Sequence, residues 1–289
     1  MRMKTLGWGC VKRISVLLVL VQLGCGGGKI SSKDSSGADT TPARADDTAQ
    51  SNPSDATRGP GARAVDCSEL TEVATPAVRI EIRNATSPER LAVCNDGSPA
   101  VYYMAPGVGE DAKRWIIFLE GGVGCVNKLE CLDRWKSGGT DHTKMSSKSY
   151  PATADIGTGI MSRDPVRNPY FHQWTFVYVK YCSSDYWSGA NDTPVPACLE
   201  GNCPAEPGPS TWYFRGRRIV DALLEDLADP EEDRPSLTDA TEVIWAGCSS
   251  GSVGAQRTLD HAAETIHQLN GETRVTGLFD AEWRKTPPD

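Results

Sequence analysis

The sequence predicts an α/β fold over residues 66–289, a mostly parallel sheet with flanking helices. Three observations predict it. Continuous apolar runs recur at 115–119, 175–179, 242–246 and 274–279. Such runs, without polar alternation, suit strands buried on both faces of a parallel sheet. Helical patterns at 215–229 and 252–269 carry apolar residues three and four apart. Two long segments rich in Gly, Pro, Ser and Cys, 120–170 and 182–214, lie where loops of such a sheet carry ligand sites.

The elements follow in chain order. Residues 1–25 read as a targeting segment. Arg2, Lys4, Lys12 and Arg13 precede an apolar run at 14–20 that is too short to cross a bilayer as a helix. The run leads to Leu23-Gly24-Cys25 and three glycines, a pattern that resembles a bacterial lipoprotein signal. The Cys25 thiol would then take a diacylglyceryl group. Gln22 stands where such signals carry an aliphatic residue, and an ordinary secretory signal cut nearby is the alternative. Either reading exports the protein, with membrane contact only through a lipid anchor. Residues 26–65 read as a disordered linker of Ser, Thr, Asp, Ala, Pro and Gly, too poor in apolar residues to offset ordering entropy.

The folded part begins with strands at 78–83 and 100–104, flanking a turn at Asn95-Asp96-Gly97. The apolar runs supply four more strands. The helix at 215–229 is stopped by Pro230. Ten Cys occur in the chain; those at 67, 94, 125, 131, 182, 198, 203 and 248 fall in the folded part and read as disulfides of an oxidising compartment. Cys125 with Cys131 and Cys198 with Cys203 can close small loops, and Cys67 is expected to pair with Cys94. No Cys-x-x-Cys pair occurs, so zinc is not expected. With 38 acids against 30 bases and a net charge of -8, nucleic acid is not an expected partner. No cofactor is implied.

Two glycine motifs carry the chemistry. Gly247-Cys248-Ser249-Ser250-Gly251 joins a predicted strand to a predicted helix. This is the context of a nucleophile elbow, in which a sharp turn presents the serine oxygen near a helix N-terminus. Gly121-Gly122-Val123-Gly124 follows another buried strand, the position of a loop that donates backbone N–H groups to an oxyanion. Ser249 is the candidate nucleophile, and Gly122, Val123 and Ser250 the oxyanion donors. Tyr181 to Ala190 follows a third strand; its Asp185 either orients a substrate or caps a turn.

These motifs, in this order, resemble the pectin acetylesterase family, which includes Notum-type carboxylesterases. The resemblance spans about 115–283. It rests on Trp115 to Gly122 with Cys125 and Asn127, Gly157-Thr158-Gly159-Ile160, Tyr181 to Ala190, Phe214-Arg215-Gly216, Ala246 to Gly254 with Asp260, and Gly277-Leu278-Phe279-Asp280. It implies an α/β-hydrolase-like fold and Ser-His-Asp release of an acyl group from an ester, with Ser249 on the family nucleophile. Val123-Gly124 departs from the bulkier, often aromatic residues of the family, which changes the pocket wall. The family acid and His lie beyond the segment matching Gly277 to Trp283, so the expectation is that the C-terminal part of the fold is missing here. His261 and His267 fall at least three turns along the helix after Ser249, which places them in helix packing or on the surface. Asp280 aligns with a pocket residue.

The function expected is a serine carboxylesterase acting on acyl esters, O-acetyl esters of a polysaccharide or a similar substrate. The alternative is a non-catalytic lipoprotein that binds glycan or acyl groups through the same pocket.

Overall fold

The computed structural model describes residues 73–140, 142–204, 208–230 and 233–281. The targeting segment, the linker, Cys25 and Cys67 lie outside them. Nine strands and three α-helices are present among the described residues: β1 Pro76–Glu81, β2 Val101–Ala105, β3 Arg114–Leu119, α1 Lys128–Ser137, β4 Thr153–Asp155, β5 Thr175–Val179, β6 Val195–Pro196, β7 Thr211–Trp212, α2 Gly216–Ala228, β8 Glu242–Cys248, α3 Ser250–Leu269 and β9 Arg274–Asp280. Seven strands form one sheet in the order β4-β1-β2-β5-β3-β8-β9, and β6 and β7 make a separate ribbon. Strands β5, β3, β8 and β9 run parallel, the block that the apolar runs predicted. Strands β4, β1 and β2 extend it in antiparallel fashion. The architecture is that of an α/β-hydrolase-like fold.

The runs of β3, β5 and β8 are largely apolar because both faces of the sheet are covered there, while β9 at its edge is half-buried. Trp115, Ile117 and Leu119 of β3, with Val243 and Trp245 of β8, face α2 and α3, which contribute Ile219, Leu223, Ala255 and Ile266. Ile116, Phe176, Ile244 and Ala246 face the opposite way, onto Ile156, Ile160, Met161 and Trp174. That second layer is loop and a 3-10 turn, so the two helices legible in the sequence share one face of the sheet. Trp245 is fully buried, and its indole N–H donates to Thr258 Oγ1 at 3.0 Å, pinning β8 to α3. Burial of such a side chain contributes about 2–3 kcal/mol.

Helix α1 lies inside the segment read as loop. Asn127 caps it by accepting from the Glu130 amide at 3.0 Å, while Glu130 accepts from Asn127 Nδ2 and the Val126 amide. This is a variant of the capping box, Asn-x-x-Glu, in which Glu130 takes the amide of the residue before the cap. Its buried side chains, Cys131, Leu132 and Trp135, are too few for a strong periodic signal.

Cys125–Cys131 and Cys198–Cys203 form as the spacing suggested. The expected Cys67–Cys94 pair does not: Cys94 bonds Cys182. Antiparallel pairing of β2 with β5 brings the residues before β2 beside those after β5, and the Asn95 amide donates to the Cys182 carbonyl at 2.9 Å. Cys248 is disulfide-bonded as well. The Cys94–Cys182 link closes a loop with a sequence separation of 88, against 6 for Cys125–Cys131. Chain-entropy arithmetic gives about 4–5 kcal/mol for the first and about 2 kcal/mol for the second. Urea unfolding of Cys94→Ala/Cys182→Ala and Cys125→Ala/Cys131→Ala double variants is expected to show that order; a larger loss in the second pair would overturn it.

Candidate active site

Ser249 joins β8 to α3 with φ 56° and ψ -122°, a left-handed backbone that a side chain tolerates only when its surroundings enforce it. Sterics on both sides do so. A Cβ on Gly247 would overlap the Gly251 carbonyl, and one on Gly251 would overlap the Leu119 carbonyl oxygen and lie 2.8 Å from Glu120 C. The turn closes only with glycine at both positions. Its side chain is exposed. Its amide donates to the Asp280 carbonyl at 3.0 Å, tying the elbow to the end of β9. Burial raises the Asp280 carboxyl above its usual range, offset by the Ala281 amide.

The loop after β3 passes directly beside Ser249: a Cβ on Gly121 would lie 3.2 Å from Ser249 Cβ. The Ser250 hydroxyl donates to the Gly122 carbonyl, locking the loop to the first turn of α3. The amides of Gly122 and Val123 have no hydrogen-bond acceptor among the described residues. The Ser250 amide heads α3, where the first turn lacks intrahelical acceptors. The loop that carries Gly122 and Val123 and the first turn of α3 that carries Ser250 thus meet beside Ser249.

The segment after β5 organises this assembly from behind. Ser184, Tyr186 and Trp187 all have positive φ, at 56°, 54° and 62°. Asp185 holds them. Its Oδ1 accepts from Ser183 Oγ at 2.7 Å and the Trp187 amide at 3.1 Å; its Oδ2 accepts from the Gly189 amide at 3.1 Å and the Gly216 amide at 2.7 Å, the last at the start of α2. Trp187 then donates from Nε1 to the Glu120 carbonyl at 3.2 Å and fills the space beside Gly254 of α3. Asp185 is thus joined to the loop after β3 and to α3 through Trp187. Burial raises its pKa, and the hydrogen bonds pull it back down. Because the folded-state pKa is raised, the native protein holds the extra proton. Asp185 therefore subtracts stability as pH rises from the ordinary carboxylate value through the raised one. Asp185→Asn removes that dependence, yet it points an NH2 group at buried N–H donors. We expect it to cost about 2–3 kcal/mol at neutral pH and to steepen the acid limb of a Tm-against-pH curve, because a contribution that falls as pH rises is removed; an unchanged limb would remove the assignment.

Glu120 and Arg134 escaped the sequence reading. Glu120 accepts from Lys180 Nζ, the Tyr181 amide (2.7 Å) and Tyr178 OH (3.3 Å). Arg134 of α1 lies over Tyr181, 5.6 Å from its ring centre. Both line an open cleft of about 790 Å³ that runs along Gly121–Gly124; Ser249 is not among its lining residues.

The four histidines are engaged elsewhere. His261 Nε2 lies 2.8 Å from Asp221 Oδ1 of α2, and His267 Nε2 lies 2.9 Å from the Thr273 carbonyl, the packing roles their helix position implied. His142 stacks on Trp135 with ring centres 3.8 Å apart. His172 precedes β5, at the opposite end of the parallel strands from Ser249, and contacts the Asn168 carbonyl at 3.1 Å.

Comparison with known proteins agrees with this geometry. The chain is 35% identical over 191 residues to the mouse palmitoleoyl-protein carboxylesterase NOTUM, covering 66% of this chain and 33% of that protein. The human protein of the same name gives 35% over 191 residues, covering 66% and 34%. The Drosophila melanogaster one gives 30% over 203 residues, covering 70% and 28%. The chain thus spans about a third of the length of these curated relatives. The pectinacetylesterase family model matches residues 74–284, a stretch that holds the elbow, the Gly121–Gly124 loop and the Asp185 clamp together, and the chain belongs to that family.

Proposed function

We propose that the protein is a serine carboxylesterase in which Ser249 is the nucleophile and the amides of Gly122, Val123 and Ser250 form the oxyanion hole. The observation that carries this reading is the exposed Ser249 on a left-handed strand-to-helix junction, beside loop amides left unpaired. The Oγ bonds to the ester carbonyl carbon while its proton passes to a base. The alcohol leaves with a proton, and water then releases the acid from the acyl-serine. Each oxyanion donor contributes about 10²–10³-fold. The substrate proposed is an O-acyl ester, with O-acetyl groups of a polysaccharide as the first candidate. The relatives' name, palmitoleoyl-protein carboxylesterase, makes a lipid ester on a protein the second. Three disulfides among the described residues suit an exported protein, and Cys25 is the proposed lipid anchor. No helix among the described residues is long and apolar enough to cross a membrane.

A second reading, a non-catalytic binder of glycan or acyl groups, is favoured by one observation: none of the chain's four histidines is at the elbow. Hydrolysis of 4-nitrophenyl acetate and of acetylated xylan by the 289-residue chain, and by protein from the complete reading frame, separates the two. Turnover that depends on Ser249 supports the esterase. Saturable binding without turnover, unchanged in Ser249→Ala, supports the binder.

A further inference from the structure

The cleft beside the oxyanion loop has a wall that the ester chemistry does not use. Arg134 is half-buried there. Its Nε donates to Ser184 Oγ at 2.8 Å and its Nη2 to the Lys144 carbonyl at 3.3 Å. No carboxylate lies within ion-pair distance of it among the described residues, and its Nη1 has no acceptor there, although solvent still reaches that atom through the cleft. Burial lowers its pKa from the ordinary guanidinium value. Lys144 stands on the same wall with its ammonium on Ser137 Oγ at 3.2 Å and no acid beside it among the described residues. The acids of the cleft do not compensate. Glu120 is taken by Lys180 and Tyr181, Glu130 by the α1 cap, and Asp133 is exposed to water. A half-buried guanidinium without a counter-ion leaves charge-assisted donor capacity unused, and an oxyanion that docks on its solvent-facing Nη1 takes it up.

We propose that this cleft is an anion subsite, in which Arg134 and Lys144 hold a carboxylate or sulfate carried by the substrate. The word substrate rests on the esterase reading; the anion binding does not. The subsite borders Gly122, since Arg134 Nη2 would lie 3.4 Å from a Cβ there. It would therefore select esters that carry negative charge near the acyl group and hold them against the oxyanion loop.

The test is isothermal titration of the protein, at low salt, with methyl glucuronide, glucose 6-sulfate and methyl glucoside. We expect at least one anion to bind about tenfold or more tighter than the neutral sugar, and the stronger of the two identifies the group. Arg134→Gln is expected to weaken anion binding about tenfold, with Arg134→Lys intermediate. Lys144→Gln, an exposed change that leaves the fold intact, is expected to weaken it about threefold. Ser249→Ala is expected to leave binding unchanged, so loss of the esterase reading would not remove the subsite. Equal affinity for the neutral sugar, or anion binding indifferent to both Arg134→Gln and Lys144→Gln, would overturn it.

Discussion

Ser249→Ala is expected to lower kcat/KM for 4-nitrophenyl acetate by at least about 10⁴-fold in protein made from the complete reading frame, with Tm and far-UV circular dichroism unchanged. The rate falls because the covalent route disappears, leaving only what the oxyanion amides and binding sustain. Stability does not fall, because the exposed Ser249 side chain makes no capping hydrogen bond at the start of α3. Alanine keeps the same left-handed strain. Glycine removes it, so Ser249→Gly is expected to be equally inactive and about 1 kcal/mol more stable. A gain in stability from the change that destroys activity would mark the strain as held for function. In the 289-residue chain the four histidines occupy other places, so its hydrolysis is expected near the level that the amides alone support, and Ser249→Ala should change it little. Full turnover by Ser249→Ala protein from the complete frame would remove Ser249 as the nucleophile.

The elbow was legible in the sequence because its causes are local. Gly247, Ser249 and Gly251 are read against one strand before and one helix after, although the space at Gly251 is closed by the end of β3. The parallel block was legible for a similar reason, since double-sided burial leaves a run without polar alternation. What escaped depends on contacts distant in the chain. Cys94 finds Cys182 only through the β2–β5 pairing. The isolation of Arg134 emerges only when α1, Ser184 and Lys144 are brought together. Asp185 read equally as a substrate-orienting group or a turn cap, and its bond to the Gly216 amide at the head of α2 decides what holds the loop. Helix α1 is the one element whose local signal was present and passed over: Asn127 and Glu130 form a variant of the capping box, but few apolar residues follow it.

Gly251→Ala is expected to destabilise the protein by about 4 kcal/mol or more, against the sign that helix propensity alone would give. Position 251 lies in the first turn of α3, where alanine would ordinarily be favoured over glycine by about 1 kcal/mol. The added methyl would overlap the Leu119 carbonyl oxygen and lie 2.8 Å from Glu120 C. Neither can move freely, because Leu119 ends β3, which is paired to β5 on one side and β8 on the other. The helix would have to retreat instead, and overpacking against fixed backbone belongs to the severe class of substitutions. Retreat would also carry the Ser250 amide away from Gly122, so any folded fraction should lose kcat before KM. Gly271→Ala is the control. Its Cβ would find nothing nearer than the His267 carbonyl at 3.8 Å, and we expect a change within about 0.5 kcal/mol. Urea unfolding of the two variants checks the contrast. If Gly251→Ala proved neutral or stabilising, the approach of α3 to the end of β3 would be looser than the geometry requires. The oxyanion donors would then not be held together by backbone contact.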